Sequence, residues 1–214
     1  YVVIPEDFAC TKPRKLSFEE AASVPLSGLS AYQSLMDAAG LKQGQTVLIH
    51  ACAGGVGGFA VQIAKNAGAR VIGTTRACNH EYAKGLGADE VIDYTQVDFR
   101  EATRKLCPDG VDAAFDTVGG EVQARSAEVV RKDGVLVSLL AYQDEAKLQA
   151  LGIRTRYVFV APNAAQLATL ARWVDEGKFR THLAAVLPLE EAARAHEMIK
   201  SRRMRGKIVL TINS

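Results

Sequence analysis

Paired cysteines, a long apolar run and a strong excess of either charge are all missing from this chain, and each absence removes a class of protein. The four cysteines, Cys10, Cys52, Cys78 and Cys107, lie far apart, with no second Cys or His at metal-ligand spacing. They are read as reduced thiols, which fits a cytosolic, cytoplasmic protein and not a disulfide-stapled one. No apolar stretch approaches the roughly 20 residues that a membrane helix needs. Lys and Arg number 26 against 24 Asp and Glu, a formal net charge of +2. That field is too weak to hold nucleic acid or an anionic membrane without specific contacts, so small molecules are the expected partners. Internal repeats, low-complexity tracts and long linkers are also lacking. The opening Tyr1-Val2-Val3-Ile4-Pro5 has no Met and no charged leader and reads as a strand already in progress, so further sequence upstream is expected.

What remains is a globular composition. Apolar residues make up 48% and charged residues 23%, which excludes disorder and suits an α/β protein. The 214 residues are enough for one large domain plus part of another.

From Ser23 onward, short β-branched runs alternate with helical periodicity, the pattern of βαβ units and a parallel sheet. Strands are expected at 45–50, 69–74, 89–93, 111–115, 134–139 and 154–160. Helices are expected at 56–67, 79–86, 98–106 and 119–131, with Gly68 and Gly87 at C-terminal stops. Ser27 to Ala39 reads as a helix closed by Gly40, after a connector from Pro5 to Pro25. Asn163 is placed to cap a helix running to Glu176 and ended by Gly177. A last βαβ-like stretch follows: a strand at 184–187, a helix from Leu189 to about Lys200 and a strand at 207–212. The fold class is thus a doubly wound parallel sheet, a Rossmann fold, of about six strands.

The most informative segment runs His50-Ala51-Cys52-Ala53-Gly54-Gly55-Val56-Gly57-Gly58-Phe59-Ala60, directly after one strand and opening the next helix. Gly55-x-Gly57-x-x-Ala60 satisfies the dinucleotide pattern. Its glycines permit a tight turn and let backbone amides approach a pyrophosphate at the positive end of the helix, where a Cβ would obstruct. NAD-selective domains carry an Asp or Glu about 20 residues further on, to bond the ribose 2′-hydroxyl. Here the stretch reads Gly73-Thr74-Thr75-Arg76. It holds no carboxylate to repel a 2′-phosphate, and its two hydroxyls and guanidinium are able to bind one. The expected cofactor is therefore NADPH; the competing reading makes Arg76 a solvated loop residue.

Taken together, VPLSGLSAYQSL, VLIHACAGGVGG, GADEVIDY, FDTVGG and GKIVL resemble the zinc-independent quinone oxidoreductase branch of the medium-chain dehydrogenase/reductase family, over essentially the whole chain. The resemblance implies that residues 1–25 are a short remnant of an N-terminal barrel-like catalytic domain with its crossover. Residues 26–160 would form the Rossmann domain, and 161–214 the helices and strand returning toward the catalytic domain. Zinc-dependent relatives place a metal-ligand Cys where Leu26 stands, and an aliphatic side chain cannot ligate zinc. No metal site is expected.

By the same resemblance, Ser30 takes the place of a Thr near the nicotinamide, and Gly54, Gly55, Val56 and Gly57 contact the pyrophosphate. Arg76 and Asn79 fall on the loop facing the 2′-phosphate, beyond Thr74 and Thr75. Tyr94 resembles an adenosine-phosphate contact, with an aromatic plug at a strand end as its alternative. Thr117 and Val118 resemble residues beside the nicotinamide ribose, while Leu139, Leu140 and Ala141 with Val158, Phe159 and Val160 resemble the stretches that bind the carboxamide. Lys207 resembles a residue reaching the cofactor phosphates; a solvated lysine is its alternative.

The implied chemistry is hydride delivery from NADPH to a quinone or an α,β-unsaturated carbonyl, with an enoyl-thioester reductase as the alternative within enzymes. No side chain here is assigned as a catalytic acid or base. His80, His182 and His196 are expected to face solvent, and His50 to pack. The resemblance also implies a homodimer through the sheet edge near 154–160. The competing class is a non-catalytic NADPH-binding or RNA-binding module, for which Arg202, Arg203 and Arg205 form a small basic cluster that otherwise reads as a solvated helix end.

Overall fold

The computed structural model describes residues 3–201 and 203–212. In chain order the elements are α1 (Phe18–Ala22), α2 (Pro25–Tyr32), β1 (Thr46–Ile49), α3 (Gly55–Asn66), β2 (Arg70–Thr75), α4 (His80–Gly85), β3 (Glu90–Asp93), α5 (Phe99–Leu106), β4 (Val111–Asp116), α6 (Gly120–Ser126), β5 (Val130–Ser138), α7 (Glu145–Gln149), β6 (Arg154–Tyr157), α8 (Ala164–Asp175), β7 (Leu183–Pro188), α9 (Ala192–Lys200) and β8 (Lys207–Thr211). The first six strands form one parallel sheet in the order β3-β2-β1-β4-β5-β6, and β7 and β8 pair in parallel as a second, smaller one.

The central strands read as continuous apolar runs because both faces of the sheet are covered. Alternation divides them. Val47, Ile49, Val71, Phe115, Val135 and Val137 join the cluster that includes α3 and α8, while Leu48, Ile72, Ala114 and Leu136 join the cluster with Phe99, Val129 and Leu148 opposite. The chain winds outward from β1 through β2 to β3, then jumps to β4 and winds the other way. The reversal opens a crevice at the carboxyl ends of β1 and β4, the place where such sheets hold ligands.

The expected strands and helices are present, with several differences. The connector contains α1, started by a capping box in which Ser17 and Glu20 bond each other's backbone amides. The helix expected from Ser27 begins at Pro25 and changes at Gln33 into one turn of π-helix, where the Ala39 amide bonds the Ser34 carbonyl. The helix expected over 119–131 stops at Ser126: Val129 and Val130 are buried in the core, and Arg131 is tied to Asp112 at 2.9 Å, which draws the chain into β5. The strand expected to 160 ends at Tyr157, and the short α7 was not anticipated. Val3 to Pro5 form no strand, and Tyr1 and Val2 lie outside the described residues.

Candidate dinucleotide-binding site

The glycine turn is pinned to both strands flanking β1. The His50 amide donates to the Phe115 carbonyl and the Cys52 amide to the Thr74 carbonyl, each at 3.1 Å. Ala51 takes a left-handed φ of 49°, and its carbonyl accepts from the Gly54 amide at 2.8 Å. Gly57 lies so close beneath that a Cβ there would stand 2.2 Å from the Ala51 oxygen. The first helical bond of α3 runs from the Gly58 amide to the Gly54 carbonyl, and no side chain caps this end. The amides of Gly55, Val56 and Gly57 precede that bond, so they are donors without intrahelical acceptors, aimed where an anion gains from the helix dipole. The Cys52 thiol beneath is buried, which pushes its pKa up to about 12 and keeps it a neutral packing group.

Strand β8 closes the turn from the far end of the chain. Gly54 bridges to Gly206, whose amide donates to Ala53 at 3.1 Å, while the Lys207 amide donates to His182 at 2.9 Å. Only glycine fits at 206, since φ is 65° and a Cβ would lie 2.0 Å from the His182 oxygen. The Lys207 stem therefore lies across Gly55, where a Cβ would meet its Cδ at 2.4 Å. Burial lowers the Lys207 pKa, with no carboxylate among the causes to offset it. Three open amides, with the half-buried Lys207 side chain lying across the first of them, make a setting that favours phosphate.

The end of β2 differs from expectation. Thr74 and Thr75 are buried, and their hydroxyls serve the protein: Thr74 Oγ1 lies 3.0 Å from His50 Nδ1, and Thr75 Oγ1 accepts from Asn79 Nδ2 at 3.3 Å. The side chains left on the outer loop are Arg76 and Tyr94, joined from Arg76 Nε to the phenol oxygen at 3.3 Å. A carboxylate is present after all, on the neighbouring strand. Asp93 ends β3 in register with Thr75 and accepts from the Ala77 amide at 3.0 Å. Arg205 was also missed as part of this loop. Its Nε donates to Asn79 Oδ1 at 2.6 Å, its Nη2 to the Cys78 carbonyl, and its guanidinium sits 5.7 Å from the centre of the Tyr82 ring. Arg205 and Arg203 are both exposed, but Arg205 is tied to the loop by these bonds; Arg202 lies outside the described residues.

At the switch point, the mouth of β4 carries Thr117 and Val118, and the mouth of β5 carries Leu139, Leu140 and Ala141. Thr117 Oγ1 donates to the His50 carbonyl at 3.3 Å, while Val118 and Leu140 are exposed. The Val158 amide continues the sheet to the Ser138 carbonyl at 2.9 Å, leaving Phe159 85% exposed and Val160 half-buried. Ser30 is buried in α2 and returns its hydroxyl to the Leu26 carbonyl at 2.7 Å. His50 is walled in, its ring nitrogens meeting Thr74 and, at 2.7 Å, Ser126. Burial lowers its pKa to about 4, partly offset by Asp116, so it is a neutral structural group out of reach of any substrate. His182 and His196 are exposed, but His80 is half-buried with an unpartnered Nε2, against the expectation that it faces solvent. Among the described residues, no three His, Cys, Asp or Glu side chains converge as metal ligands, and Leu26 is exposed on α2.

Comparison with known proteins places this geometry. Residues 86–210 match the family model described as zinc-binding dehydrogenase. A relative from Arthroderma benhamiae, a probable zinc-binding oxidoreductase, mitochondrial, is 32% identical over 94% of this chain, and the chain spans 64% of its length. The Escherichia coli quinone oxidoreductase complexed with NADPH superposes with a TM-score of 0.86 at 29% identity, over 95% of this chain and 68% of that one. An NAD-dependent alcohol dehydrogenase superposes with a TM-score of 0.90 at 35% identity, over 99% of this chain and 64% of that one. Likeness of fold therefore leaves the choice of dinucleotide to the loop beyond β2.

Proposed function

Because the chain belongs to the zinc-binding dehydrogenase family of medium-chain dehydrogenase/reductases, we propose that it holds NADPH for an oxidoreductase acting on a quinone or an α,β-unsaturated carbonyl. Residues 26–160 are the cofactor-holding unit, 1–25 enter it from a catalytic domain, and 161–214 return toward that domain. The observation that carries the reading is the set of three uncapped amides at Gly55, Val56 and Gly57, with the Lys207 side-chain stem lying across Gly55, at the point where the sheet reverses.

When bound, the nicotinamide supplies the hydride, so no protein nucleophile is required. The chain's residues bind and orient. Gly54 to Gly57 with Lys207 take the pyrophosphate, and Arg76, Tyr94 and the Asn79 loop held by Arg205 take the 2′-phosphate. The exposed Val118 and Leu140 offer apolar surface beside the reacting ring, which excludes water there. Ser30, Thr74 and Thr75 support this site from inside, because their hydroxyls are spent on protein partners. Choice of NADPH rests on two cations, Arg76 on the loop beyond β2 and Arg205 bonded to that loop from the segment before β8, while Asp93 is occupied by the Ala77 amide.

The reaction is zinc-independent in this reading, since Leu26 stands where zinc-dependent relatives have a ligand. The protein acts as a homodimer through β6, an edge strand whose backbone groups need covering. Its unpaired thiols suit the reducing cytoplasm, and no helix among the described residues is long and apolar enough to cross a membrane. Titrating the protein with NADPH and NADH tests the reading. NADPH is expected to bind at least tenfold more tightly; equal affinities refute the choice, and no binding of either refutes the function.

A further inference from the structure

Behind the exposed lips of the crevice lies a buried polar group that the cofactor assignment does not use. Asp116, the last residue of β4, is fully buried, as are Ser138 at the end of β5 and Gln123 on α6. No cation is among its hydrogen-bond partners; its oxygens are met by neutral donors. Oδ1 accepts from the amides of Val118 at 2.9 Å and Gly119 at 3.0 Å. Oδ2 accepts from the Ser138 hydroxyl at 2.7 Å, from the Gly119 amide again at 3.2 Å and from Gln123 Nε2 at 3.3 Å. An acceptor-only carboxylate matches four converging donors, and an unmet one at this depth would cost about 1–3 kcal/mol.

The same bonds reach the second lip. Ser138 Oγ, having given its proton to Asp116, accepts from the Leu140 amide at 3.0 Å, and Gln123 Nε2 donates to the Leu140 carbonyl at 3.1 Å. The Leu139 amide bonds the Asp116 carbonyl at 3.2 Å. The lips also touch directly, since a Cβ on Gly119 would lie 2.8 Å from Leu140 Cδ1. Asp116 therefore ties residues 118–119 through both oxygens and residues 139–140 through Oδ2, by way of Ser138 and Gln123, with bonds that no side chain on the surface contributes.

We infer that Asp116 is a positioning residue that sets the spacing of the Val118 and Leu140 lips, and so the seat of the nicotinamide half of the dinucleotide, independently of the glycine turn that takes the pyrophosphate and the loop beyond β2 that takes the 2′-phosphate. The inference deepens the proposed function and rests on it. In Asp116→Asn the shape is nearly unchanged and Oδ1 keeps its two amides, but an NH2 group replaces Oδ2 and faces two donors, Ser138 and Gln123. Conflict falls chiefly on the β5 side, since Gly119 keeps its shorter bond to Oδ1 and loses only the 3.2 Å contact to Oδ2, so the two lips lose their common register.

The test compares a whole ligand with half of one. NADPH and 2′,5′-ADP, which lacks the nicotinamide, are titrated against the wild type and Asp116→Asn, with the emission of bound NADPH recorded and folding followed by thermal melting. The expected result is an affinity loss of about tenfold for NADPH, 2′,5′-ADP within twofold, and emission shifted toward that of free NADPH. Equal losses for both ligands, or none for either, overturn the assignment. Should Asp116→Asn fail to fold, Ser138→Ala keeps the carboxylate with its two amides and removes the hydroxyl that joins Asp116 Oδ2 and Gln123 to the Leu140 amide. It is expected to lose NADPH affinity selectively, and an unselective change or no change overturns the assignment. A wild type that binds NADPH while its variants show no selective loss sinks the inference alone; a wild type that does not bind NADPH sinks the proposed function with it.

Discussion

Arg205 Nε donates to the side-chain oxygen of Asn79 at 2.6 Å, across 126 residues of chain. Through this bond the segment leading into β8 holds the loop that follows β2, while Lys207, the first residue of β8, lies over the glycine turn. The 2′-phosphate and the pyrophosphate of a bound dinucleotide would thus be served by residues of one segment.

Replacing Arg205 with Met removes the bonds to Asn79 and Cys78 and one positive charge from the loop. Charge-assisted bonds of this kind are worth about 1.5–3 kcal/mol, so NADPH affinity is expected to fall by roughly tenfold or more. NADH affinity should stay within about twofold. Arg205→Lys should rescue poorly, since an ammonium cannot span both acceptors as a fork. Calorimetric titration of both dinucleotides decides; an equal loss for the two assigns Arg205 to general stability.

Gly57→Ala is expected to abolish binding. Its Cβ would stand 2.2 Å from a backbone oxygen, which cannot swing aside as a side-chain tip can. The turn must shift, at a cost of roughly 1–3 kcal/mol in stability. Gly54→Ala is the control, because its Cβ would stand 3.2 Å from the same Ala51 oxygen and its φ of −78° suits any residue. Melting curves and NADPH titration should rank it far milder; equal damage from the two would contradict the close-approach account.

Stability should fall in mild acid through His50. Its folded pKa of about 4 lies below the ordinary 6.5, chiefly from burial, so the unfolded chain takes up the proton first as pH drops. The contribution is complete above about pH 6.5, declines from there toward pH 4 and levels off below. Its ceiling is roughly 3 kcal/mol by linkage. Urea titrations at pH 7 and pH 5 should show the loss, and His50→Asn should flatten that difference while lowering stability at pH 7. An unchanged slope in the variant would remove His50 as the cause.

The open edge of β6 should pair two copies of the chain. Sedimentation at micromolar concentration is expected to give twice the chain mass, and Phe159→Glu, at a side chain 85% exposed in the single copy, should give monomers with an unchanged melting temperature. A monomeric wild type would count against the dimer.

Legibility in the sequence followed the range of the forces involved. The six strands of the main sheet are recognisable as apolar runs because burial on both faces acts on every residue of a strand. Asn163 and Gly177 mark the ends of α8 because caps are local, with Asn163 Oδ1 accepting from the Gln166 amide at 3.0 Å and Gly177 at a φ of 77°. Residues 127–131 have helix-like composition, yet pairing with β4 through Val111 and Val130 overrides that preference. At the candidate site the glycine turn is readable as a turn. The inward hydroxyls of Thr74 and Thr75 are not, because their partners His50 and Asn79 are set by folding.

Sequence alone determined the order of strands and helices, the tight turn at Gly54 to Gly57 and the absence of a carboxylate on the end of β2, since each depends on neighbouring residues and their backbone preferences. Tertiary structure alone decided which groups face the crevice. It brought Asp93 from the next strand, Arg205 from the segment before the last one and Asp116 beneath both lips, because hydrogen bonds that join distant segments leave no periodicity in the chain.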